Sequence, residues 1–108
     1  MIYGNKFLIL NEGGNADQLK AIYTEKKAQI DEQLKNSQQS FKAKEYKKAI
    51  GYCKKIVSIC DQLIEAVEKI DPEGMSAKIS KKKYIGYANY MKNDANLAIK
   101  SAEKELEK

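Results

Sequence analysis

The sequence predicts an all-α fold: an antiparallel helical-hairpin bundle of three to four helices with a short extended N-terminal arm. Three observations carry that reading. Apolar residues recur at i, i+3, i+4 and i+7 through most of the chain beyond residue 15. The one proline, Pro72, sits in a single corner, Asp71-Pro72-Glu73-Gly74. Only one short segment, near the start, reads as strand.

That segment is MIYGNKFLILNEGGN, residues 1–15, which holds three of the six glycines around one apolar run. It divides the chain into an arm, 1–15, and a helical bundle, 16–108. A lone strand has no intrachain neighbour to take its backbone hydrogen bonds. Phe7, Leu8, Ile9 and Leu10 are therefore either folded across the bundle or, as the sharper expectation, docked on a partner chain.

The first helix begins at a candidate cap, Asn15, with Asp17 at the positive end of the dipole and Gln18 at the capping-box position. Leu19, Ile22, Tyr23, Ile30, Leu34 and Phe41 then form a stripe. The polar run Asn36-Ser37-Gln38-Gln39-Ser40 weakens it without breaking it. The second helix is the most regular. Tyr46, Ala49, Ile50, Cys53, Ile56, Val57, Cys60, Leu63, Ile64, Val67 and Ile70 share one side, until Pro72 removes a ladder donor. For residues 75–107 the expected inner face is Ile79, Ile85, Ala88, Met91, Ala95, Ala98, Ile99, Ala102 and Leu106. Lys92-Asn93-Asp94 marks a candidate bend or break.

Composition narrows function further. All twenty basic residues are lysine, and histidine and tryptophan are absent. Histidine is the usual proton shuttle and metal ligand, and arginine the usual fork for phosphate and guanine. No Walker loop, nucleophile elbow or metal-binding helix motif occurs, so no enzyme activity, no cofactor and no metal are expected. Cys53 and Cys60 lie two turns apart on one face, about 10.5 Å along the axis, too far for a mutual disulfide. They read as small buried residues.

No apolar run approaches the roughly 20 residues that span a bilayer, and Phe7–Leu10 is too short for a signal-peptide core. The expected location is cytoplasmic, in the producing cell or a host, or within a virion. Lysine without arginine, with abundant Ile, Asn and Tyr, fits an AT-rich coding genome such as that of a low-GC bacterium or its phage.

Charge is uneven. Residues 41–60 hold six lysines against Glu45, residues 76–93 hold five with no acid, and between them lie Asp61, Glu65, Glu68, Asp71 and Glu73. Lys42, Lys44, Lys47 and Lys48 form one basic patch; Lys81, Lys82 and Lys83, beside Tyr84, Tyr87 and Tyr90, form another. Lysine and tyrosine together suit phosphate contact and base stacking, although tyrosines at this spacing more often edge a core. Nucleic acid or an acidic surface is thus one alternative ligand.

Around the second helix the words Phe41-Lys42-Ala43-Lys44-Glu45-Tyr46-Lys47-Lys48-Ala49-Ile50-Gly51-Tyr52-Cys53 resemble the turn and second helix of a tetratricopeptide unit. Tyr46, Ala49 and Cys53 fall on that family's aromatic and small positions. A fainter echo runs through Ile85-Gly86, Tyr90, Asn93-Asp94, Ala95, Ala98-Ile99 and Ala102. The resemblance implies paired antiparallel helices, with Gly86 where two helices pack closely.

The expectation that follows is a non-catalytic protein–protein interaction protein, a small structural or assembly subunit. Its partner is another protein or a second copy. A small inhibitor or adaptor masking a cellular enzyme is the remaining alternative.

Overall fold

A computed structural model describes residues 15–108, and those residues form three helices joined by tight corners: α1 (Ala16–Lys42), α2 (Tyr46–Glu68) and α3 (Gly74–Glu107). Among the described residues there is no strand. The arm, with Phe7, Leu8, Ile9 and Leu10, lies outside them.

Helix α2 is the middle of the bundle and packs along both neighbours, which touch each other less. Its regular stripe explains why. Ala49, Cys53, Ile56, Cys60, Leu63 and Val67 are buried, with Ile50, Val57 and Ile64 on one flank and Tyr52 and Ile59 on the other. A helix apolar over so wide an arc has two helices to cover it. Burial of each large aliphatic side chain contributes roughly 1.5–3 kcal/mol.

Helix α1 adds Leu19 and Ile30 to the core, and also Ser37 and Ser40. The polar run is therefore part of the packed face. Both serines are small, and the Ser37 hydroxyl donates to the Leu34 carbonyl at 2.8 Å, so its burial leaves no unpaired donor.

The α1–α2 corner closes through three backbone hydrogen bonds. Glu45 N–H donates to Ser40 O at 2.8 Å, Lys44 N–H to Phe41 O at 3.0 Å, and Ala43 N–H to Gln39 O at 3.0 Å. This is a Schellman-type stop, and it places Lys44 at φ 60, where glycine is usual.

At the other end Asn15 differs from its expected role. Its side chain makes no cap bond to α1. Instead its amide donates to the Asp71 carbonyl, and its Oδ1 accepts from Glu73 N–H at 3.0 Å. Asn15 thus staples the start of α1 to the α2–α3 corner. Lys81 closes the same corner by donating to the Ile70 carbonyl at 2.8 Å and the Glu68 carbonyl at 3.4 Å, the exposed end of α2.

Helix α3 takes one of the two forms the sequence left open, and departs from expectation on its inner face. It runs unbroken through Lys92-Asn93-Asp94, where no proline or glycine interrupts the backbone ladder, and Lys92 pairs with Asp61 of α2 at 2.7 Å. Its inner face is Ala77, Tyr84, Ala88, Ala95 and Ala102. Ile79 is instead 60% exposed, since two residues from Ala77 is about 200° round the helix. Leu106, in the last turn, is 46% exposed. Alanine inside lets α3 lie close on α2, whose larger side chains fill the space between.

Candidate protein-docking face

Tyr84 and Tyr87 belong to the joint between α1 and α3. Tyr84 stacks on Tyr23 with centroids 4.2 Å apart and planes 9° from parallel, and Tyr87 meets Tyr23 edge-on at 5.3 Å. Tyr84 is 8% exposed, so its faces are spent on the core. The Tyr87 hydroxyl is buried with no hydrogen-bond partner among the described residues. Burial, with the Asp31 carboxylate nearby, pushes that phenol up to about 12.

The lysine clusters do not converge. Lys42, Lys44, Lys47 and Lys48 surround the α1–α2 corner, whereas Lys81, Lys82 and Lys83 lie toward the α2–α3 corner. Most of the length of α2 separates them, about 30 Å, or several Debye lengths at physiological salt. Lys81 is already engaged by backbone carbonyls, while Lys82 and Lys83 are exposed.

The thiols are structural in their surroundings. Cys53 is 2% exposed and Cys60 fully buried. Burial pushes both up, Cys60 to about 11, away from the thiolate form that attacks substrates or holds metals. Among the described residues no group of three His, Cys, Asp or Glu is placed to hold a metal ion. Nor is any described helix long and apolar enough to cross a membrane.

Two open hollows have room for small groups. One, of about 470 Å³, is bordered by Lys35, Gln38, Gln39, Phe41 and Lys42; the other, of about 460 Å³, by Pro72, Lys78, Lys81, Lys82 and Ile85. Lysines border both, with Gln38, Gln39 and Phe41 in the first and Pro72 and Ile85 in the second, and neither gathers an acid–base pair.

The feature that stands apart is the outward side of α3. Met75 is 70% exposed, Ile79 60%, Tyr90 68% and Leu97 56%. On a helix these positions fall within an arc of about 60°, roughly opposite the alanine face. Gly86 lies in the same arc, exposed, and a Cβ added there would touch nothing within 4 Å. Among the described residues Gly86 is thus not at a close helix contact, unlike what the tetratricopeptide resemblance implied. Among the described residues, no second hairpin of matching size repeats the first.

The sequence pattern assigned Met75 and Leu97 no role, and Tyr90 only a place beside the Lys81–Lys83 patch and in the tetratricopeptide echo. The signal was present, however. Met75, Gly86 and Leu97 repeat every 11 residues, and so do Ile79 and Tyr90. Eleven residues make almost three whole turns, so the stripe runs nearly straight along the helix. The chain matches no family model, no curated protein and no solved structure.

Proposed function

We propose that this protein is a non-catalytic interaction module, a small structural or assembly subunit that works by presenting the outer face of α3 to a protein partner. One observation carries the reading. Helix α3 spends one apolar face on the core and keeps a second, made of Met75, Ile79, Tyr90 and Leu97, in water. Large exposed apolar side chains aligned on one side of a helix mark a contact surface far better than scattered ones. The buried thiols and the separated lysine clusters offer no competing site of comparable organisation. The same face would serve an assembly subunit or an adaptor that masks an enzyme, and the identity of the partner separates those two.

Site-specific photo-crosslinking in the source cell tests this. A photoreactive residue replacing Tyr90 should give a discrete protein adduct, while one replacing the exposed Ala28 of α1 should not. No protein adduct from position 90, or adducts to nucleic acid alone, would overturn the reading.

A further inference from the structure

We infer that the outer face of α3 takes an amphipathic helix whose apolar seam is edged by carboxylates. This rests on the interaction reading above and adds the chemistry of the partner. The shape points to a helix. From Met75 to Leu97 the stripe is about 33 Å long and nearly straight, the footprint of another helix laid alongside. At its centre Gly86 is a gap, framed one turn away by Lys82, Lys83, Asn89 and Tyr90. Such a gap receives a side chain from a facing helix as a knob enters a hole.

Gly86 is also costly where it stands. Within a helix a glycine is less favourable than alanine by about 0.5–1 kcal/mol. Among the described residues, nothing approaches the space it leaves open. A partner side chain seated over Gly86 gives that space a use.

Charge selects among partners. From Met75 to Lys100 the exposed lysines flanking the stripe are Lys78, Lys82, Lys83 and Lys100, and Asp94 is the one acid beside it; Glu103, Lys104 and Glu107 lie beyond its end. Residues flanking an apolar seam set partner choice through their charge, and like charges across a contact disfavour it. A second copy laid antiparallel on this face, related by a twofold axis, would line one edge of the contact with Lys78, Lys82 and Lys100 of both copies. The arm of this chain, residues 1–15, contains a single acid, Glu12. Neither neutralises the lysines. A helix with Asp or Glu on both sides of a Leu- or Met-like seam does.

The test uses the full chain and two synthetic amphipathic helices of about 22 residues, with apolar residues at the same 11-residue spacing. One carries Glu beside the seam and the other Lys. Binding is followed by amide chemical shifts and fluorescence anisotropy, with anionic phospholipid vesicles as a separate arm. The Glu-edged helix should bind at least tenfold more tightly than the Lys-edged one. Its affinity should fall with salt, and the shifts should centre on Ile79, Gly86, Tyr90 and Leu97. Tyr90→Ser with Leu97→Ser should lower affinity at least tenfold while the helical circular dichroism and melting temperature stay as they were.

Equal binding of the two peptides, or shifts centred on α1 or α2, would overturn the inference. So would capture by anionic vesicles without peptide binding, which would make the face a lipid surface. Dimerisation of the chain that blocks the peptide would identify a second copy instead. Peptide binding that emerges only in Leu8→Asp/Leu10→Asp would identify the arm. If the peptides fail but the crosslink from position 90 persists, the interaction role stands and only the partner chemistry is wrong.

Discussion

Helices α1 and α3 face the same solvent with different chemistry. Outward from α1 project Asp17, Ala21, Thr24, Glu25, Ala28, Glu32, Lys35 and Gln39, all exposed and none a large apolar residue. Outward from α3 project Met75, Ile79, Tyr90 and Leu97 in a row between lysines. Both helices bury one side in the same bundle, so folding places the same demand on each. Only α3 keeps apolar surface that the bundle does not consume. A monomer with no further business needs two faces of the α1 kind.

The contrast makes its largest claim about where stability resides. Ile30→Ala in α1 or Leu63→Ala in α2 should cost about 2–5 kcal/mol in urea unfolding, because both side chains are fully buried. Met75→Ala and Leu97→Ala should stay within about 0.5 kcal/mol of the parent. A large loss from Leu97→Ala would mean that the outer face of α3 is part of the fold, and the comparison would collapse.

Next in size is the difference between the two sides of α3 itself. Ala88 has no exposed surface and lies against the core. Ala88→Leu forces extra volume into packed space and should cost about 1–3 kcal/mol. The same change at Ala28, on the wet face of α1, should move the unfolding midpoint little. If Ala88→Leu were equally mild, the close seating of α3 on alanine would be wrong.

These contrasts also show how far the residues themselves could be read. Helix α2 was legible almost residue by residue, because an uninterrupted apolar period with a proline stop leaves one solution. Helix α3 was legible as a helix but not by side. Its most buried positions are mostly alanine, which weighs little in an apolar pattern; Ile85, Met91 and Ile99 do pack against the core as expected, but Met75, Ile79, Tyr90 and Leu97 point outward. Counting hydrophobic residues therefore put Ile79 inside, and only packing separates the two stripes. Ser37 and Ser40 were hidden for the opposite reason: small polar residues read as surface until a neighbouring helix comes near. Asn15 has the composition of a cap, yet its bonds to Asp71 and Glu73 span 56 and 58 residues, beyond what local spacing reveals. The docking face was legible only in its 11-residue spacing. It lacked meaning until the inner face was known.

A smaller effect comes from pH, since partly solvated groups are screened. Burial raises Cys60 from 9.0 to about 11 and Tyr87 from 10.0 to about 12. The unfolded chain therefore loses these protons first. Between about pH 9 and 12 the folded state holds more protons, so stability is complete below that window and falls as pH rises through it. Urea midpoints should drop between pH 8 and pH 11, and Tyr87→Phe should make the drop shallower. At neutral pH the same substitution should leave stability unchanged or raise it, because the buried hydroxyl has no partner among the described residues to lose. A marked loss at neutral pH would show that the hydroxyl is bonded after all, and the joint between α1 and α3 would need another description.

The smallest effect separates folding from contact at a single atom. Gly86→Ala adds a methyl where nothing lies within 4 Å, so it should raise stability by about 0.5–1 kcal/mol through helix propensity alone. Ala28→Gly, on the outer face of α1, should lower it by a similar amount for the same reason. As folding experiments the two are mirror images. As contact experiments they are not: the methyl at residue 86 enters the gap on the contact stripe, whereas removing one at residue 28 touches no proposed surface. Crosslinking from position 90 should therefore weaken in Gly86→Ala despite its greater stability, and persist unchanged in Ala28→Gly despite its lower stability. Opposite movement of stability and contact is something a fold-only role for Gly86 cannot produce. If the two quantities rise and fall together in both variants, the outer faces of α1 and α3 are equivalent surfaces.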